Sequence, residues 1–148
     1  VTLAGLLKDC VGAEVTCSKT VAESDVMLFA GITGDFSPNH VDEELMRKTQ
    51  YGGRIAHGAL LVGYMSRAST LITDHCGKLT ERYYPVSLGY DGVRFLQGVR
   101  IGNTVTIQYR IAEVDILKFR TIAAIAMTNE TGQTCAIATH VMSWLARQ

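Results

Sequence analysis

Residues 57–72 read H-G-A-L-L-V-G-Y-M-S-R-A-S-T-L-I, and this run decides the fold. Leu60, Leu61, Val62, Tyr64, Met65, Ala68, Leu71 and Ile72 leave almost no polar face, and Arg67 is the only charge. Gly58, Ala59, Gly63, Ser66 and Ser69 keep the helix thin. A helix apolar nearly all round is expected to be buried. The chain has 148 residues, enough for one domain with a substantial core. In so small a domain the available wrapping is a curved sheet.

The flanking sequence supplies that sheet. Residues 12–20, 86–95, 104–114, 118–127 and 134–145 read as strands. Val105, Ile107, Tyr109 and Ile111 alternate with Thr104, Thr106, Gln108 and Arg110, so one face of that strand is wet. Ile122 to Ala126 is apolar on both faces, which predicts a central strand. Glu130-Thr131-Gly132 predicts a hairpin turn, Asp115-Ile116 a tight reversal, and Asp91-Gly92 a bulge inside its strand. Short helices are expected over 23–33 and 41–50, each with acids in its first turn. Between them Pro38 pushes Ser37 out of the helical region, so 34–39 must be irregular. The expectation is a single α+β domain over 1–148: five antiparallel strands around one long helix.

Composition removes several function classes. Fourteen basic residues balance fourteen acidic ones, with no cationic run, which argues against nucleic-acid binding. No stretch of about 18 uncharged apolar residues predicts a membrane span. The first ten residues lack the basic start of a signal peptide. Cys10, Cys17, Cys76 and Cys135 are scattered without a C-x-x-C pair, so reduced thiols in a cytoplasmic protein are expected. The histidines show no ligand spacing such as H-x-x-x-H, and no metal is expected.

The chemistry concentrates in G-D-F-S-P-N-H, residues 34–40, and in the His57-Gly58 helix start. A carboxylate (Asp35), an imidazole (His40) and a helix N-terminus aimed into one pocket can remove one proton, deliver another and hold a developing oxyanion. That combination suits acid–base chemistry beside a carbonyl. Each residue also has a plainer reading. Asp35 is suited to capping a turn, Gly58 to close helix–sheet packing, and Ser66 to bonding a carbonyl of its own helix. His57 reads as a residue that orients the helix start. Ser37, Asn39 and His57 are the candidates for contact with substrate. Tyr83-Tyr84 reads as packing or as a tunnel wall, and His140 as a satisfied or exposed strand residue.

The pairing of residues 34–40 with I-A-H-G-A-L-L, residues 55–61, resembles the MaoC-like dehydratases and (R)-specific enoyl-CoA hydratases, which have the hot-dog fold. Residues 89–105, G-Y-D-G-V-R-F-L-Q-G-V-R-I-G-N-T-V, look like that family's strand ending in Phe-x-x-Pro-Val-x-x-Gly-Asp. The likeness runs from about 23 to 144. It implies that Asp35 and His40 are the catalytic pair, that Gly58 is the glycine opening the hot-dog helix, and that Ser66 is the serine supporting the pair. It further implies hydration of a trans-2-enoyl thioester, carried by CoA or acyl carrier protein, without a cofactor. The unit implied is a homodimer with joined sheets. Ser37 stands where the family usually has Asn, Gly98 where it has Pro, and Asn103 where it has Asp. An acyl-CoA thioesterase and a non-catalytic acyl-binding subunit are the rival readings.

Overall fold

A computed structural model describes residues 2–148. The chain opens with α1 (Leu3–Asp9), capped by the Thr2 hydroxyl, which accepts from the Gly5 N–H. Then follow β1 (Glu14–Thr20), α2 (Glu23–Thr33), the short α3 (Pro38–Val41) and α4 (Glu43–Arg47), and the long α5 (Gly58–Leu71). A 3-10 turn (Ile72–Cys76) and α6 (Gly77–Thr80) lead into β2 (Tyr83–Phe95), β3 (Thr104–Asp115), β4 (Arg120–Thr128) and β5 (Thr134–Ala146).

The five strands form one antiparallel sheet in the order β1-β3-β4-β5-β2. The strand apolar on both faces, β4, is central as expected. Along β3 the alternation places Val105, Ile107, Tyr109 and Ile111 in the core. The register of β2 against β5 slips after Ser87 and again between Asp91 and Arg94, where Gly92 has φ +59°, so the bulge at Asp91-Gly92 is real. Tyr83 and Tyr84 belong to β2 itself, with Tyr83 against the core and Tyr84 exposed under Arg147.

Four expectations change. The irregular stretch expected over 34–39 ends at Ser37, because Pro38 opens α3. The helix expected over 41–50 is only Glu43–Arg47, because Asp42 accepts from Leu45 N–H and starts the helix late. Helix α1 and the segment 72–80 carry structure that the sequence pattern does not announce. Most consequentially, α5 is not wrapped all round. Leu61, Met65, Ala68 and Ser69 form its buried face, while Ala59, Gly63, Ser66, Arg67 and Thr70 are exposed. A five-stranded sheet curls over one side of a helix. The small residues line the other side.

A polar network ties that helix to the sheet. His140 on β5 is fully buried between the Tyr109 hydroxyl at Nδ1 and the Ser87 hydroxyl at Nε2, both 2.8 Å away. The Tyr90 ring stacks on it at 4.2 Å, and the Tyr90 hydroxyl meets Ser66 and Ser69 of α5. Burial pushes the His140 imidazole down to about 4.

Candidate active site

Helix α2 ends at Gly34, whose φ of +77° reverses the chain and whose N–H reaches the Ala30 carbonyl. The reversal delivers Asp35 to an exposed position at the start of the loop. Its Oδ1 accepts the Ser37 N–H at 3.2 Å, so Asp35 does cap a turn. Pro38 then starts α3, which carries His40 inward to 7% exposure.

His40 Nδ1 lies 2.7 Å from the Ile55 carbonyl. A carbonyl only accepts, so Nδ1 carries a proton, and the tautomer this selects has its lone pair on Nε2. The Ile55 N–H returns a bond to the Asn39 carbonyl at 3.0 Å, and the Ala56 N–H bonds Val99 O at 2.7 Å. These bonds lock the loop to the segment that opens α5.

His57 completes the junction. It is 2% exposed and donates from Nε2 to the Asp35 carbonyl at 3.0 Å. Its ring stacks on His40 with centroids 3.7 Å apart and planes at 26°, while Phe29 covers it at 4.7 Å. Its Nδ1 is buried and unpartnered, as is Asn39 Oδ1. One side-chain donor atom from each of Asp35, His40 and His57 falls within 4.8 Å of the others. Each ring commits one nitrogen to a carbonyl, which leaves His40 Nε2 and His57 Nδ1 as the uncommitted ring nitrogens of the cluster.

Arg54 holds this junction from outside. Its guanidinium grips both Glu23 carboxylate oxygens at 2.8 and 2.6 Å, and its Nε reaches Glu43 Oε2 at 3.0 Å. The start of α2, α4 and the segment entering α5 thus meet on one side chain, and the guanidinium holds both carboxyls below their ordinary range.

The cleft beside His40 has a volume of about 670 Å³ and is bordered by Asn39, Ile55, Gly58, Phe95 and Arg100, among others. Phe95 lies directly over Gly58, where an added Cβ would come within 2.5 to 2.8 Å of the ring. The close-packing role of Gly58 is therefore real. It coexists with the free N–H groups that every helix offers in its first turn. Gly98 makes a parallel case: a Cβ there would come within 2.7 Å of Tyr51. The Tyr51 ring fills the space that a side chain at 98 would need. In the following turn Asn103 Oδ1 accepts from the Arg100 N–H, and Gly102 takes φ +92°.

Asp35, His40, His57 and Gly58 are thus gathered at one place, with Asn39 lining the cleft. Ser37 shapes the loop through its backbone, its carbonyl accepting from His40 N–H at 2.9 Å. Ser66 is elsewhere: it is exposed on α5 and its hydroxyl meets Tyr90. Phe95, Tyr51 and Arg54 escaped the sequence reading. Two glycines, 58 and 98, were the available signal for the aromatic pair.

The chain is similar to known proteins over most of its length. The MaoC like domain model matches residues 10–134. An (R)-specific enoyl-CoA hydratase of Rhodospirillum rubrum is 34% identical over 119 residues, covering 78% of this chain and 77% of that protein. A 3-hydroxybutyryl-CoA dehydratase of Methylorubrum extorquens is 33% identical over 122 residues, covering 82% and 71%. Among solved structures, the unliganded R-hydratase PhaJ1 of Pseudomonas aeruginosa superposes with TM-score 0.74 at 24% identity, covering 93% of this chain and 86% of that one, and shares the hot-dog fold. The extent of the domain match and the identity to the two curated relatives establish that this chain belongs to the MaoC-like family.

Proposed function

We propose that this protein is an (R)-specific hydro-lyase that interconverts a trans-2-enoyl-CoA and a 3-hydroxyacyl-CoA. The observation that carries the reading is the His40 Nδ1–Ile55 carbonyl bond. It leaves Nε2 basic within the Asp35–His40–His57 cluster, beside a helix N-terminus on an open cleft. The two curated relatives named above are a hydratase and a dehydratase of such thioesters.

In the hydration direction His40 Nε2 takes a proton from water as the oxygen attacks C3. The electrons of the C2=C3 bond move toward C2 and the thioester oxygen. The Gly58 N–H at the head of α5 holds that enolate-like oxygen, a type of contact whose removal costs about 3 kcal/mol. The proton lost by water is returned to C2 through the Asp35–His40 pair, with Asp35 either delivering it or holding the water, so that H and OH add across the double bond. General acid–base steps of this kind contribute roughly 10²–10⁴-fold each. Asn39 lines the cleft, and its buried, unpartnered Oδ1 offers an acceptor for substrate or water, while His57 sits behind His40.

The proposed unit is a homodimer. One side of β2 pairs with β5 while its other side is a sheet edge carrying exposed Val86, Leu88 and Phe95. A second copy joining there would extend the sheet and cover apolar surface. The proposed setting is the cytoplasm, a reading supported by four free cysteines.

The test is loss of enoyl absorbance with crotonyl-CoA and longer or branched enoyl-CoAs, with release of free CoA monitored by a thiol reagent. Loss of absorbance with the thioester intact supports the hydro-lyase. Release of CoA without hydration supports the thioesterase, and ligand binding without turnover supports the acyl-binding subunit.

A further inference from the structure

A second pair of reactive side chains lies at the other end of α5, about 21 Å from its start by the rise of its fourteen residues. Cys10 is the C-cap of α1, and Cys76 closes the 3-10 turn that follows α5. The two thiols come from distant parts of the chain, and both are buried, at 3% and 4% exposure. The Cys76 thiol hydrogen-bonds to the Cys10 sulfur, and the Cys10 thiol reaches the Leu6 carbonyl at 3.3 Å. A cavity of about 380 Å³ opens beside them, lined by both cysteines together with Asp9, His75, Lys78 and Leu79. The pair is therefore covered by helix packing yet borders a space that admits a small reagent.

The other two cysteines have different surroundings. Cys17 stands opposite Ile107 in the β1–β3 ladder, and the Cys135 thiol turns to the Gln133 carbonyl.

We infer that Cys10 and Cys76 are an oxidisable dithiol that closes into a disulfide, joining α1 to the segment that ends the central helix. The hydrogen bond from Cys76 holds the Cys10 thiol below its ordinary range and raises its own, which is consistent with Cys10 attacking first and Cys76 resolving. The oxidant is a small-molecule disulfide, RS–SR. Cys10 thiolate attacks one of its sulfurs, forming Cys10–S–SR and expelling RS⁻. Cys76, losing its proton to the expelled thiolate, then attacks the Cys10 sulfur and expels the second RS⁻, which takes up the Cys10 proton. Two protein thiols are oxidised to one disulfide, and RS–SR is reduced to two RSH.

The consequence is a covalent staple across a long loop of the chain, remote from the Asp35–His40 cleft. Such a loop closure raises the melting temperature by on the order of 5–10 °C in a domain of this size.

The experiment incubates the purified protein with oxidised glutathione, alkylates it in denaturant and maps the peptides by mass spectrometry, with a melt of each form. The expected result is a fall from four free thiols to two per chain, a Cys10–Cys76 linked peptide, and a higher melting temperature that dithiothreitol reverses. Cys76→Ser should retain glutathione on Cys10 and show no rise. Four thiols still free after treatment, or thiol loss at Cys17 or Cys135 instead, would overturn the inference. So would glutathione held on Cys10 of the wild type without the link, or a link that leaves the melt unchanged. Peptide mapping of the wild type decides the pairing even where a serine variant folds poorly.

Discussion

The Phe95 ring rests on the Cα of Gly58, close enough that one added methyl group would come within 2.5 Å of it. The head of α5 and the end of β2 are thereby packed into one wall of the cleft. Gly58→Ala is predicted to lower stability by about 1–3 kcal/mol through overpacking, and to lower turnover by shifting the helix start. Gly58→Ala combined with Phe95→Ala should lose less stability than the two single changes added together. Thermal and urea unfolding of the four proteins in that cycle measure the coupling.

His57 acts on both members of the proposed pair, through the Asp35 carbonyl and through the His40 ring face. His57→Ala should reduce kcat by on the order of 10²-fold, as expected for misplacement of catalytic groups, with a smaller change in KM. Steady-state kinetics on crotonyl-CoA separate the two. An unchanged kcat would show that the stack is not needed for the chemistry.

Arg54 is expected to matter more for the loop than for the global fold. Arg54→Ala removes the cation shared by Glu23 and Glu43 and leaves Glu43 with Arg47 alone, at 3.2 Å. The loss of stability should be small, as for ion pairs whose carboxylates face solvent, with kcat reduced about tenfold or more. Arg54→Lys should recover stability in part and turnover less, because an ammonium cannot reproduce the two-point grip on Glu23. Melts and kinetics of both variants check this.

His140 predicts an acid-sensitive fold. Its folded-state pKa lies near 4, below the ordinary 6.5 that the unfolded chain retains. Between those values the unfolded state binds more protons, so stability falls as pH drops from about 6.5 toward 4 and then levels off. The loss attributable to this one ring is on the order of 3 kcal/mol. His140→Gln should flatten that part of the stability curve while lowering its plateau at neutral pH, as followed by urea unfolding across pH 4–8.

Much of this architecture was written locally. Val105 to Ile111 alternates strictly because β3 has one face on the core, and the apolar run of α5 is long enough to be unambiguous. The turn after Gly34 was legible because that glycine ends α2 whatever surrounds it, whereas Pro38 was read as loop and instead opens α3. What was not legible depends on distant partners or on short elements. Helix α1 has seven residues, too few to display a period. The exposed side of α5 is made of small residues, which in sequence look the same whether they face a sheet or open space. Ser66 meets Tyr90 only because the β2 bulges set which residues of that strand face the helix. Arg54 and Phe95 gain their roles from Glu23 and Gly58, partners more than thirty positions away in the chain.

The most direct test of the proposed chemistry is hydration of crotonyl-CoA by wild type, Asp35→Asn and His40→Ala, each accompanied by a melt. The account predicts that both variants stay folded and that each loses at least about 10²-fold in kcat/KM, the smaller end of a general acid–base contribution. Near wild-type turnover in either folded variant would contradict the assignment of Asp35 and His40 as the reacting pair.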